Sequence, residues 1–149
     1  IFLFQMTSCF GAFNAIKESF FKACDKDDKD MIYLLVSAYP KLVLMEDEFG
    51  LLGIETATVF GRHDTVSFFL QKGVDCNLVS AKTGLSLLDL AILHKYDKIM
   101  LLLLKQPKID VFIKTTYKTR RIGFLNAFTH QNITELYNQF KIRESIEQV

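Results

Sequence analysis

Two stretches of this chain repeat one pattern at a fixed interval. DEFGLLGIETATVFGRHDTVSFFLQKGVDCN, from Asp47, and AKTGLSLLDLAILHKYDKIMLLLLKQPKIDV, from Ala81, align on Gly50 and Gly84, 34 positions apart. Ala57 then falls on Ala91, Asp64 on Lys98, and Phe68, Phe69 and Leu70 on Leu102, Leu103 and Leu104. A period of this length marks one supersecondary unit, which cannot bury its apolar face alone and stacks on its neighbours to make a continuous core. Stacking leaves one long side free, which points to binding.

Weaker copies flank these two. Phe20 and Ala23 precede Ile54 and Ala57 by the same interval, and Asp30, Met31, Leu34 and Leu35 precede Asp64 and the run that follows it. Downstream, Ile122-Gly123-Phe124-Leu125-Asn126-Ala127 echoes Leu52-Gly53-Ile54-Glu55-Thr56-Ala57. The run from Thr134 to Ile142 carries polar Asn138, Gln139 and Lys141, as the outer face of a terminal repeat requires for solubility. Apolar residues recur at helical spacing and thicken into runs in DTVSFFLQKG and DKIMLLLLKQ, the pattern of helices covered on more than one side. Helices are predicted over about 14–25, 30–38, 51–60, 64–72, 85–94, 98–105, 122–130 and 133–142. Asp64 and Asp97 suit N-terminal caps or first turns. Gly73 suits a left-handed helix end, and Pro107 stops the helix before it.

The pattern resembles the ankyrin repeat, a unit of about 33 residues made of a turn and two helices. Asp47 and Gly50 open one unit; Ile54, Thr56 and Ala57 occupy its first helix; Gly61 breaks it; Val66, Phe69 and Leu70 fill the second; Gly73, Val74, Asp75 and Asn77 close it. In the next unit Gly84, Ser86, Leu88, Asp89, Leu90 and Ala91 follow the family's G-x-T-P-L-H-L-A, with Asp89 in place of the His. Gly53 replaces the helix-starting Pro, Glu55 replaces the His, and Lys95 stands where Gly separates the helices, so a less regular turn network is expected. The resemblance implies an all-α solenoid of about four stacked helix-turn-helix repeats with degenerate terminal caps. It gives a single domain, 1–149, with an N-terminal capping segment at 1–12 and repeats at about 13–46, 47–80, 81–116 and 117–149.

Carrying the family's variable positions over by alignment places partner contacts at Glu48, Phe49, Leu51, Val59 and Phe60 in one repeat. The next repeat supplies Lys82, Thr83, Leu85, Leu93 and His94. Phe49, Leu51, Val59, Phe60, Leu85 and Leu93 are apolar at positions expected to face solvent, and a contiguous patch of this kind marks an interface. The competing expectation is that the apolar segment Ile1 to Phe13, or a neighbouring domain, covers the same groove. A second candidate surface is the turn 115–121, where Tyr117, Arg120 and Arg121, with Lys114 and Lys118, are suited to an acidic peptide or phosphate, the competing expectation being a solvated turn kept polar for solubility.

Net charge of +1 gives no global attraction to nucleic acid or anionic membrane. IFLFQMTSCFGAF is too short to span a bilayer, which takes about 20 apolar residues. Three cysteines, Cys9, Cys24 and Cys76, lack metal-type spacing and read as reduced thiols of an intracellular, cytoplasmic protein, with host cytoplasm the place of a pathogen effector. His63, His94 and His130 fall in three different repeats, each near the turn between helices, and read as structural. Nucleophile-elbow, phosphate-loop and H-E-x-x-H motifs are absent, so no catalytic residue, cofactor or metal is expected. The expectation is a monomeric, noncatalytic protein-protein interaction module. Its alternative is a regulatory ankyrin segment of a larger enzyme, channel or pathogen effector, with the groove packed on its own chain.

Overall fold

The period of the sequence is also a period of the backbone. In a computed structural model, which describes the backbone at residues 2–127 and 131–147 and side-chain surroundings at 11–127 and 132–146, the chain is all-helical. Its helices are α1 (Phe2–Lys26), α2 (Lys29–Ala38), α3 (Gly53–Val59), α4 (His63–Gln71), α5 (Leu87–Leu93), α6 (Asp97–Leu104), α7 (Lys118–Ala127) and α8 (Gln131–Glu147), with a 3-10 turn at Pro40–Leu44. Thus α2, α4 and α6 begin at Lys29, His63 and Asp97, and α3 and α5 at Gly53 and Leu87, each one sequence repeat after its predecessor. Among the described residues, extended pairing is limited to two isolated bridges at the feet of the turns, Glu46 with Leu52 and Val79 with Ser86.

One residue per repeat makes the helix hairpins possible. Asp27, Gly61 and Lys95 all adopt positive φ, at 58°, 73° and 59°. Immediately after each, an N–H reaches back to the preceding helix: Asp28 N to Ala23 O at 3.0 Å, Arg62 N to Ala57 O at 2.8 Å, and Tyr96 N to Ala91 O at 2.9 Å. This is the closure in which a left-handed residue ends a helix and satisfies its last carbonyls. The accepting residues are alanines, all buried, so the second helix can lie close against the first. Lys95 therefore adopts the conformation expected of Gly, and the turn it was expected to disturb is as regular as that at Gly61.

Two compact units make up the chain, Ile1–Lys72 and Gly73–Val149. In the first, α1 packs on α2 and α3, and α3 on α4. Phe20 meets Phe69 edge-on, with ring centroids 5.9 Å apart. Gly53 explains its own departure from the repeat pattern: a Cβ there would come within 3.0 Å of Phe20 Cζ, 3.1 Å of Phe69 Cζ and 3.2 Å of Cys24 Sγ. The neighbouring hairpins of this unit are also tied by polar bonds. Asp27 accepts from Thr65 N at 3.2 Å and Thr65 Oγ1 at 2.5 Å, so it caps α4 from the preceding turn, and Arg62 Nε donates to Asp25 O at 2.6 Å. In the second unit, α5 packs on α6 and α7, and α8 on α6 and α7, around Leu87, Leu88, Ile99, Leu103, Leu125 and Tyr137.

Three expectations need correction. The first helix starts well before the predicted position 14, because α1 runs unbroken from Phe2 to Lys26. The turn before the last repeat is shorter than expected, since α7 starts at Lys118 and takes up Arg120 and Arg121. Polar α8 runs on to Glu147, beyond the predicted end. His130 and the packing of the side chains of residues 1–10 lie outside the described residues.

Cys24 and Cys76 are free and buried. Burial pushes the Cys24 thiol up to about 12 and raises that of Cys76, with the Asp75 charge adding to the latter. Only thiolates alkylate readily. Iodoacetamide at mildly alkaline pH should leave Cys24 unmodified in the native protein and label it in urea, as read by peptide mapping. At the hairpin turns, a non-glycine residue held left-handed costs about 1–2 kcal/mol. Lys95→Gly should therefore raise the urea-unfolding free energy by about 1 kcal/mol. Asp27→Gly should show no such gain, because it also removes the bonds to Thr65; equal effects would disprove this account.

Candidate functional site: an open groove and a buried ion pair

A short turn precedes α3 and another precedes α5. Asp47 shapes the first of these: its Oδ1 accepts from Phe49 N at 2.8 Å and Leu51 N at 2.9 Å, while Gly50 takes φ of 79°. Holding the turn this way turns Phe49 outward, 65% exposed, and at the far end of α3 the C-cap residue Phe60 is 50% exposed. Gly53 to Thr58 of the same helix are all buried, so the exposed apolar surface lies at the two ends of α3, at Phe49 and Phe60.

Glu48, Phe49, Leu51, Val59 and Phe60, picked from the sequence, all line one groove of about 680 Å³ within the first unit. Its other wall is α1, through Asn14, Lys17, Glu18, Phe21, Lys22 and Asp25. The competing expectation put Ile1 to Phe13 over this surface. The side chains of residues 1–10 lie outside the described residues; of the rest of that segment, Phe13 turns to Tyr39, at 6.4 Å between ring centroids. The wall residues were not among those picked, although the signal was present. Asn14, Lys17 and Asp25 align with Glu48, Leu51 and Val59 when the same register is carried one repeat earlier.

In the second unit the corresponding turn is built differently. Ser80 Oγ accepts from Lys82 N at 3.2 Å, and Thr83 Oγ1 accepts from Leu85 N at 3.3 Å. Lys82 and Thr83 are exposed and Leu85 is half-buried. Leu93 is 49% exposed, and His94, the C-cap of α5, stacks on Tyr96 at 5.7 Å. Tyr117 is half-buried and Arg120 is exposed.

Arg121 is no surface residue. It is fully buried, and the expected role in gripping a partner is overturned by its surroundings. Nε donates to Asp89 Oδ1 at 2.5 Å and Nη2 to Asp89 Oδ2 at 3.4 Å and to Thr115 Oγ1 at 2.8 Å. Nη1 donates to the carbonyls of Val111, at 2.6 Å, and Ile113, at 2.9 Å. Asp89 also accepts from Thr115 Oγ1 at 2.7 Å and Ser86 N at 3.0 Å, while Ser86 Oγ caps the helix by accepting from Asp89 N. Every donor of the guanidinium is thus used. Asp89 in place of the expected His was the sequence signal: an acid carried into an apolar helix is costly to bury alone, and Arg121 supplies the cation that pairs it.

Of the described histidines, His63 places Nδ1 3.2 Å from Asp64 Oδ1, and His94 stacks on Tyr96. Among the described residues, no group of three His, Cys, Asp or Glu side chains is placed to hold a metal ion. Also among the described residues, no helix is long and apolar enough to cross a membrane. The chain matches no family model and no curated protein.

Removing one partner from a buried, hydrogen-bonded pair leaves the other charge uncompensated, at about 3–5 kcal/mol. Arg121→Met should lose stability on that scale in urea unfolding. An Asp89→Leu/Arg121→Met double variant should lose less than the sum of its singles; strict additivity would show that the two side chains are not coupled.

Proposed function

We propose that the chain is an ankyrin-repeat solenoid that works as a noncatalytic protein-interaction module, its partner docking in the groove between α1, the turn at Asp47 and α3. Support for the repeat assignment comes from recurrence, at the interval of the sequence repeat, of the helix starts, the left-handed residues Asp27, Gly61 and Lys95, and the back-reaching bonds to Ala23, Ala57 and Ala91. Support for docking comes from one observation: Phe49 and Phe60 stand 65% and 50% exposed on the same groove, with Phe21, Leu51 and Val59 between them. Aromatic side chains at the centre of a groove that excludes water on binding are the usual carriers of affinity. Lys82, Thr83, Leu85, Leu93 and His94 belong to the corresponding turn and helix of the second unit and extend the same role there.

The test uses a photo-reactive benzoylphenylalanine at position 60 of the whole chain, with position 34 as control, because Leu34 is 62% exposed on α2 and lies away from the groove lining. A specific partner should crosslink from position 60 and not from 34. Phe60→Ser should weaken its binding by at least about tenfold while leaving far-UV circular dichroism unchanged. Equal crosslinking from both positions, or binding indifferent to Phe60→Ser, would place the interface elsewhere.

A further inference from the structure

The groove is acidic at its rim although the chain as a whole carries a net charge of only +1. Four carboxylates, Glu18, Asp25, Asp47 and Glu48, line it against two amines, Lys17 and Lys22. Both amines belong to α1, so the turn facing them contributes acids alone. Asp47 uses one oxygen to hold its own turn. Among the described residues, Glu18, Asp25 and Glu48 take part in no ion pair.

On the docking reading above, we infer that the occupant is a peptide segment of a partner protein with aromatic or branched apolar side chains flanked by Lys or Arg. Its apolar side chains fill the space beside Phe21, Phe49 and Phe60, and its cations lie against Glu18 and Glu48. Nucleic acids and anionic lipid surfaces are disfavoured by the same carboxylates, since their phosphates would be repelled. Rim charges act mainly on association and its salt dependence, while the apolar centre sets how long the complex lasts.

A random dodecapeptide library displayed on phage, panned against the whole chain, tests this. Selected peptides should carry apolar anchors with Lys or Arg beside them, and a fluorescein-labelled selected peptide should bind more weakly as salt is raised. A Glu18→Lys/Glu48→Lys variant should bind that peptide at least about tenfold more weakly and with a flatter salt dependence. Both the variant and Phe60→Ser should keep wild-type circular dichroism. Peptides with acidic flanks, or charge reversal without effect while Phe60→Ser still weakens binding, would overturn the basic-peptide inference and leave groove docking standing. Failure to enrich any peptide, or enrichment of peptides indifferent to Phe60→Ser, would remove both.

Discussion

Everything in this chain depends on turning a helix back on itself within a very short connection. The reversal needs a left-handed residue, which L-amino acids resist, and it needs an N–H to satisfy a carbonyl stranded at the end of the first helix. Asp27, Gly61 and Lys95 meet the first need, and the bonds from Asp28, Arg62 and Tyr96 meet the second. Only Gly61 takes that conformation without cost. Asp27 offsets its cost by capping the next helix through Thr65, whereas Lys95 is exposed and makes no comparable bond through its side chain. Once each hairpin is set, Ala23, Ala57 and Ala91 are carried inward and the ends of α3 and α5, at Phe60 and His94, are carried outward.

The same repeat position shows what buried charge demands. Glu55 and Asp89 occupy equivalent positions in successive repeats, each at the start of an inner helix, and each is buried. Asp89 is surrounded by donors from Arg121, Thr115 and Ser86. Glu55 has one oxygen 3.4 Å from Leu52 N and the other without a partner. Burying a carboxylate is costly unless it is paired and hydrogen-bonded, so the two sites, alike in sequence, differ in energy. Asp89 and Arg121 fix how α7 meets α5, because the guanidinium also closes the carbonyls of Val111 and Ile113. The residue that sequence logic assigns to the surface as a cation is thereby the one holding the last repeat in place.

What was legible in the sequence was what local periodicity controls. Apolar spacing located the helices to within a few residues apart from the start of α1, the start of α7 and the end of α8, where the repeat pattern that sets the boundaries is weakest. The variable positions carried over from the family resemblance picked out Glu48, Phe49, Leu51, Val59 and Phe60, which line one groove. What depends on a meeting between segments was missed. Nothing around Arg121 in the chain says that Asp89 lies opposite it, and a basic residue in a polar stretch reads as solvated until the fold supplies an acid. Gly53 is similar: it departs from the repeat pattern because of Phe20, Phe69 and Cys24, which all belong to other helices.

The groove wall on α1 shows how a departure from the average repeat becomes specific. An α1 confined to hairpin formation needs only its buried side, Phe20, Ala23 and Cys24, and leaves its other positions unconstrained by packing. Those positions hold Asn14, Lys17, Glu18 and Lys22, charged or polar and set opposite the two exposed phenylalanines of the next repeat. Stability therefore does not explain why Phe49 and Phe60, at the two ends of α3, stand exposed while the rim beside them is charged. A solvated surface selected only for solubility would disperse Phe49 and Phe60 among polar residues rather than line one cavity with them. An apolar centre ringed by charge is the usual composition of a recognition surface, in which the centre supplies affinity and the rim chooses among partners.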